Sequence, residues 1–142
     1  MFMLGKKILS TKSTPEIILD PEGIIIIRGR SMNGNINELS GEIDEWIDKY
    51  IADPAEVTYV DFCLEYFIRA NSKVIISLIR KIDSLRLSNK KYVINWFYEE
   101  GDDDILEKGE FISEELNIPF NFIEIYDAIM PEFFQHEMEL SA

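Results

Sequence analysis

Residues 58–85 read TYVDFCLEYFIRANSKVIISLIRKIDSL, and the spacing of the hydrophobic residues changes within this stretch. Val60, Phe62 and Leu64 alternate with Asp61, Cys63 and Glu65, which is the period of two that is typical of a strand in a sheet. After residue 67 the apolar residues recur three or four positions apart, as they do on one face of a helix. These apolar residues are Ile75, Leu78, Ile79, Ile82 and Leu85. The stretch therefore predicts a buried strand, a short turn and an amphipathic helix.

The junction between this strand and this helix carries Asn71 and Ser72. A short side-chain oxygen at a helix start can accept a hydrogen bond from a backbone N–H of the first turn, which otherwise has no partner in the helix. The free N–H groups and the helix dipole also attract anions to such a place. From the residues alone, the junction is either a capped helix start with no further role or a binding site.

The segment before this stretch predicts a β-hairpin. Residues 8–15 form an extended lead-in, and residues 16–19 and 24–27 are two short strands separated by the turn sequence Asp-Pro-Glu-Gly. Residues 29–35, GRSMNGN, are rich in types that tolerate unusual backbone angles, so we expect a loop there.

The remaining segments predict helices that alternate with strands. An apolar stripe indicates a helix over residues 36–51, which Asp53 and Pro54 end. Residues 91–98 and 118–125 are expected strands, and a third helix is expected over residues 102–116. Strand–helix–strand units imply parallel pairing, whereas a hairpin is antiparallel. The expected fold is of the α/β (α+β) class, a mixed sheet with helices packed on it.

The length of 142 residues predicts a single domain. We place its core at about residues 8–125. Residues 126–142 are acidic and are either a C-terminal helix or a loosely held tail, two alternatives that the sequence leaves open.

The net charge is the unusual feature of the composition. The chain has 14 basic and 27 acidic residues, and its formal charge is −13. Such a surface repels nucleic-acid phosphates and anionic lipids, and it suits a basic patch on a protein partner. No apolar run is long enough to span a bilayer, and the first ten residues lack the order of a secretory signal. We therefore expect a cytoplasmic protein that binds neither nucleic acid nor membrane.

The residues offer little material for catalysis. Cys63 is the only cysteine, which excludes an intramolecular disulfide and a cysteine-based zinc site, and His136 is the only histidine. Phosphate-binding glycine motifs are absent from the sequence. We expect no enzyme activity, no cofactor and no metal.

An acidic cluster leaves three alternatives open. Its members are Glu99, Glu100, Asp102, Asp103, Asp104, Glu107 and Glu110. In the first interpretation they are a solvated helix start whose carboxylates are stabilised by the helix dipole. In the second they form a docking surface for a basic partner. In the third they are the ligands of Mg²⁺ or Ca²⁺ in a metal enzyme.

Several motifs resemble the SiaC family of bacterial regulatory phosphoproteins, which are small STAS-like domains. The matching segments are Ser13-Thr14-Pro15, Gly29-Arg30-Ser31, Trp46 with Tyr50, Leu64-Glu65-Tyr66-Phe67 with Ser72-Lys73, Asn95-Trp96-Phe97-Tyr98-Glu99-Glu100 followed by Asp102-Asp103-Asp104, Glu107 and Gly109-Glu110, and Pro119-Phe120. The resemblance covers about residues 10–125. It implies a STAS-like fold and signalling by exchange of protein partners. In this family the unphosphorylated protein activates a diguanylate cyclase, and a kinase and a phosphatase control that contact, cyclic-di-GMP and biofilm formation.

The resemblance also implies where the site lies. The family's phosphoacceptor follows the tyrosine-containing strand, and its threonine position carries Arg69 here. Arginine cannot accept that phosphate and would favour an anionic group on a partner, which leaves Ser72 as the candidate acceptor. The expected partner-contact residues are Arg30, Ser31, Asn35, Tyr66, Phe67, Arg69, Asn71, Ser72 and Lys73. The alternative is a constitutive binding or scaffold domain without phosphoregulation.

Overall fold

In a computed structural model, the structure describes residues 3–31, 36–68 and 71–126. They form six strands, three α-helices and one 3₁₀ helix. The strands are β1 (Lys6–Ile8), β2 (Glu16–Asp20), β3 (Ile24–Ser31), β4 (Val57–Phe67), β5 (Lys91–Glu99) and β6 (Asn121–Ile125). The helices are α1 (Ile36–Ala52), α2 (Ser72–Asp83) and α3 (Asp103–Leu116), and the 3₁₀ helix spans Ser84–Ser88.

The strands form one mixed sheet in the order β1-β2-β3-β4-β5-β6. β1, β2 and β3 pair antiparallel, and the β2–β3 hairpin closes where Asp20 pairs with Ile24. From β3 to β6 each pair is parallel, because a helix connects each strand to the next. The predicted mixed sheet with a hairpin and packed helices is confirmed.

The three helices lie on one face of the sheet, which we call the helix face. Alternate residues of β2 to β5 share one hydrophobic cluster with the inner stripes of the helices. The sheet contributes Ile17, Leu19, Ile25, Ile27, Val60, Phe62, Leu64, Phe67, Ile94 and Trp96 to it. The helices contribute Ile43, Trp46, Ile47, Tyr50, Ile75, Leu78, Ile79, Ile82, Ile105 and Ile112. The interpretation of Trp46 and Trp96 as core residues is therefore confirmed.

The polar groups inside this core have partners. The hydroxyl groups of Tyr50 and Thr58 lie 2.7 Å apart and join α1 to β4. The indole nitrogen of Trp96 donates to the carbonyl oxygen of Ile105 over 2.9 Å, which joins β5 to α3. Because a buried polar group without a partner costs stability, these two bonds fix which helix packs over which strand.

Two predicted boundaries were wrong. The expected loop over residues 29–35 does not include Gly29, Arg30 and Ser31, because these three residues continue β3 beside the long strand β4. The last strand begins at Asn121 and not at residue 118, since Pro119 has no N–H for a ladder bond. The lead-in also contains the short strand β1, which adds an edge to the hairpin.

Four parts of the chain lie outside the described residues: 1–2, 32–35, 69–70 and 127–142. The choice between a C-terminal helix and a tail therefore stays open, and the single domain over residues 1–142 stays a prediction. Within the described ranges, no helix combines the length and the apolar character needed to cross a membrane.

Candidate functional site

The candidate site lies where β3 and β4 end, and a β-bulge shapes it. Gly29 pairs with Leu64, but Arg30 pairs with Tyr66, so Glu65 is an extra residue in β4. A bulge shifts the alternation of side chains by one position. Glu65 and Tyr66 are consequently both exposed, Tyr66 at 43 %, and Phe67 returns to the core. The bulge is what places a tyrosine on the surface at the end of a central strand.

Lys108 of α3 holds this end of β4 in place. Its ammonium donates to the carbonyl oxygen of Phe67 over 2.8 Å and pairs with Asp104 over 2.9 Å. The same nitrogen lies 5.5 Å from the ring centroid of Tyr66 and 5.0 Å from that of Phe67, within cation–π range. Sequence reasoning missed Lys108. The available signal was its charge, because it is the one basic residue in the acidic helix α3.

A Lys108→Met variant tests this anchor. The methionine keeps much of the side-chain volume but leaves the carbonyl oxygen of Phe67 without its donor. We expect the free energy of unfolding to fall by about 1–2 kcal/mol in urea denaturation. The matched control is Lys49→Met, which breaks an exposed helical pair of 3.5 Å with Glu45 and should cost about 0.5 kcal/mol or less. Equal small losses in the two variants would contradict the anchoring role.

Helix α2 begins at Ser72, with Asn71 in the N-cap position. The prediction that a side chain caps this helix was wrong for Asn71, which makes no side-chain cap bond. Its backbone is already in the right-handed helical region, at φ −83° and ψ −5°, whereas a capping residue has extended angles. The backbone N–H of Asn71 instead donates to the carbonyl oxygen of Ile68 over 3.0 Å. Ser72 is half-buried at the first helical position and Lys73 is exposed.

The structure brings part of the predicted contact set together. Arg30 pairs in register with Tyr66, and Ser31 pairs with Phe67. The guanidinium Nε of Arg30 donates to the exposed carboxylate of Glu65 over 3.3 Å. The side chains of Phe67 and Asn71 are buried, so they support the surface and do not form it. The predicted contacts at Arg69 and Asn35 lie outside the described residues.

The sheet face opposite the helices, which we call the open face, carries a row of polar side chains. The amide of Asn95 donates to a carboxylate oxygen of Asp61 over 2.6 Å, and the amide of Asn121 donates to Asn95 over 3.1 Å. Asp61 is only 1 % exposed. Desolvation by burial raises the pKa of Asp61 to about 7, against the opposing effect of the Asn95 hydrogen bond.

Cys63 lies on the same open face, half-buried between Arg28 of β3 and Phe97 of β5. Burial raises the pKa of its thiol to about 11, so the thiol is protonated at neutral pH. A shallow cavity of about 290 Å³ opens beside it, lined by Glu16, Arg28 and Glu99 among others. The raised pKa is the opposite of what a nucleophilic cysteine requires.

Three members of the acidic cluster, Asp102, Asp103 and Asp104, lie at the start of α3. The carboxylate of Asp102 accepts a hydrogen bond from the backbone N–H of Ile105 over 3.1 Å and so caps the helix. Asp103 and Asp104 lie in the first turn, where the helix dipole favours negative charge. In the part of the chain that the structure describes, no group of three or more His, Cys, Asp and Glu side chains could hold a metal ion.

The chain was compared with known protein families and with known proteins. Residues 8–125 match the protein family described as "SiaC family regulatory phosphoprotein". An uncharacterized protein of Pseudomonas aeruginosa (strain UCBPP-PA14) is 25 % identical over 111 residues, which is 78 % of this chain and 88 % of that protein.

Two solved structures of SiaC from Pseudomonas aeruginosa share the fold. Apo-SiaC has a TM-score of 0.76 and 24 % identity, with 85 % of this chain and 99 % of that chain covered. SiaC in complex with the diguanylate cyclase SiaD, whose activator it is, has a TM-score of 0.76 and 23 % identity. That comparison covers 84 % of this chain and 99 % of that chain. At these identities the structural likeness establishes the fold alone.

Proposed function

Because the chain belongs to the SiaC family of regulatory phosphoproteins, we propose that it binds a diguanylate cyclase of its own host and regulates it by direct contact. The observation that carries this proposal is the family match over residues 8–125, which includes the whole sheet from β2 to β6 and all three helices. The P. aeruginosa relative of the same fold is the activator of a diguanylate cyclase and was solved in complex with it. The role is that of a binding regulator and not of an enzyme. The expectation of a cytoplasmic protein belongs to this proposal and rests on the sequence.

The proposed contact surface is the junction face, which we define by the exposed or half-buried side chains of Arg30, Tyr66, Ser72 and Lys73. The bulge exposes the tyrosine ring, and Lys108 beneath it limits its mobility. An aromatic ring held in place on a surface is a favourable anchor, because binding then orders little that was free before. Acidic or aromatic groups of a partner can contact three of these four residues, namely Arg30, Tyr66 and Lys73. We also include Arg69 among the proposed contact residues, because it lies between β4 and α2 in the sequence.

A Tyr66→Ala variant tests the junction face. We expect its affinity for the cyclase to fall by roughly tenfold to a hundredfold, since truncation of a hot-spot tyrosine costs about 1.4–3 kcal/mol. Binding is measured by calorimetric titration of the purified cyclase. The control is Tyr59→Ala, because Tyr59 is exposed to nearly the same extent, 45 % against 43 %, at the opposite end of β4. Loss of affinity in both variants, or in neither, would contradict the assignment of this face.

We further propose that regulation by phosphate differs from the family pattern. Arg69 stands at the family's acceptor position and cannot be phosphorylated, so Ser72 is the remaining candidate. A phosphate at the first residue of α2 would add about two negative charges to the junction face, next to Lys73. Mass analysis of phosphopeptides from the native host locates any such group. Phosphate on Ser72 supports a shifted switch, and its absence under all growth conditions supports a constitutive binder.

A further inference from the structure

A groove of about 590 Å³ lies between α1 and α2 on the surface of the protein, and we call it the α1–α2 groove. Ile51 of α1 lines it on one side, and the residues of α2 that line it include Lys73, Ile76, Ser77 and Arg80. These four residues are spaced three or four positions apart, so they form one stripe along the helix. The stripe is distinct from the buried stripe with which α2 packs in the core.

Two isoleucines make part of this groove apolar. Ile51 and Ile76 are both half-buried, and each packs against the hydrophobic core with one part of its side chain. The part that stays exposed can be buried further only by another molecule, which would gain roughly 25 cal/mol for each Å² of apolar surface removed from water.

The charge of the groove is opposite to that of the whole protein, which is −13. All three basic residues of α2, Lys73, Arg80 and Lys81, line the groove. The one acidic residue of this helix, Asp83, is bonded elsewhere, because it accepts a hydrogen bond from the hydroxyl group of Tyr92 on β5. The α2 side of the groove is therefore basic.

Two of these three cations are available to an anionic group. Lys81 is already paired, since its ammonium lies 2.9 Å from a carboxylate oxygen of Asp48 and 3.5 Å from one of Asp44, both on α1. Lys73 and Arg80 are exposed, and neither makes an ion pair with any residue that the structure describes. Most other cations in the described ranges do have a carboxylate partner. Lys73 and Arg80 are two helical turns apart, about 10 Å, on the same side of α2.

We propose that the α1–α2 groove binds an acidic amphipathic helix of a protein partner. The lining of the groove extends along the chain from Lys73 to Ser84, about 16 Å at the rise of a helix, which matches three turns of a partner helix. The apolar side chains of that helix contact Ile51 and Ile76. Two of its carboxylates, seven positions apart, reach Lys73 and Arg80.

The surroundings of the groove favour such a helix over a nucleic acid. Asp44 and Asp48 stand beside the groove where they pair with Lys81, and the net charge of the whole chain is strongly negative. A continuous polyanion is repelled by these charges. An acidic helix places few charges at fixed positions, and its apolar side adds binding energy that does not depend on charge.

This inference deepens the proposed function and rests on it for the identity of the partner. Lys73 belongs both to the junction face and to the α1–α2 groove, so one partner can contact the two surfaces together. The diguanylate cyclase is therefore the protein that we expect to supply the acidic helix. The chemistry of the groove itself can be tested without the cyclase.

An Arg80→Glu variant of the full-length protein tests the groove against the purified cyclase of the host. We expect calorimetric titration to show a fall in affinity of roughly tenfold or more, with most of the affinity kept by Arg80→Lys. The matched control is Lys49→Glu. Lys49 and Arg80 are both exposed and both lie in the last turn of their helix, so the two variants change the net charge and the helix-dipole interaction alike. If the unaltered protein binds and Arg80→Glu loses no more affinity than Lys49→Glu, the groove is wrong and the proposed function stands.

A peptide titration decides the groove even if the unaltered protein does not bind the cyclase, a result that would refute the proposed function. The probe is a synthetic helix of about fourteen residues with leucines on one side and glutamates seven positions apart. A matched peptide carries lysines in place of the glutamates. We expect the glutamate peptide to shift the NMR signals of Ile51, Ile76 and Ser77 and to bind Arg80→Glu at least about threefold more weakly. No binding of the glutamate peptide, or equal binding of both peptides, would overturn the proposal.

Discussion

A Gly109→Ala variant should lose about 3 kcal/mol of folding free energy, although alanine is the better helix former. A Cβ atom at this position would lie 2.5 Å from ring atoms of Trp96, closer than such atoms approach in proteins. The ring cannot move away, because it is fully buried and packs against Phe62, Phe67 and Phe120. Its indole N–H is also bonded to α3 itself. The helix would have to rise from the sheet, and Lys108 would be drawn away from the junction face.

The matched control for this variant is Gly41→Ala in α1. A Cβ atom at Gly41 meets nothing within 4 Å, so only the helix preference changes. We expect this control to gain about 0.5–1 kcal/mol. Urea denaturation of both variants gives the two free energies of unfolding. If Gly109→Ala were as stable as the unaltered protein, the packing of α3 on Trp96 would be wrong.

Asp61 should make the protein lose stability as the pH rises from about 4 to about 7. Its pKa in the folded protein is about 7, raised from 3.8 by burial, so the unfolded chain releases the proton first. Over this range the folded state holds more protons than the unfolded state, and the free energy of unfolding therefore falls with rising pH. The difference between the two pKa values corresponds to roughly 4 kcal/mol as an upper limit. Below about pH 3 the aspartate is protonated in both states and has no such effect.

An Asp61→Asn variant should remove this dependence. Its side-chain carbonyl can still accept the hydrogen bond from Asn95, and no charge is buried. We expect a gain of about 2–4 kcal/mol at pH 8 and little change at pH 4, measured by urea denaturation across the range. The control is Gly41→Ala, which removes no titratable group and should leave the shape of the pH profile unchanged. A profile for Asp61→Asn that is parallel to that of the unaltered protein would contradict the burial of a titrating carboxyl group at this position.

The order of secondary structure followed from the sequence wherever one physical signal dominated. The period of two through Leu64 and the period of three to four from Ile75 located the central strand and α2. The turn residues between β2 and β3 located the hairpin. The strand β1 could not be predicted in this way, because Lys6–Ile8 is a short edge strand whose pairing with β2 depends on the hairpin already being formed.

The candidate site was less predictable, since it depends on contacts between distant residues. The tyrosine at position 66 follows from the motif, but its exposure depends on a bulge opposite Gly29 and Arg30. Lys108 reaches the carbonyl oxygen of Phe67 from 41 residues away, and no local pattern indicates such a bond. Asn71 fits the residue type of a cap, yet its backbone angles exclude that use. Local residue preferences therefore locate the junction, and tertiary contacts determine its surface.

The most direct test is a titration of the host's diguanylate cyclase with the purified protein while the rate of cyclic-di-GMP synthesis is measured. We predict that the rate changes in a saturable way with added protein. We also predict that the Tyr66→Ala variant needs a concentration roughly tenfold or more higher for the same effect, whereas Tyr59→Ala does not. A rate that stays constant at every concentration, with no binding detected by calorimetry, would contradict the regulatory role.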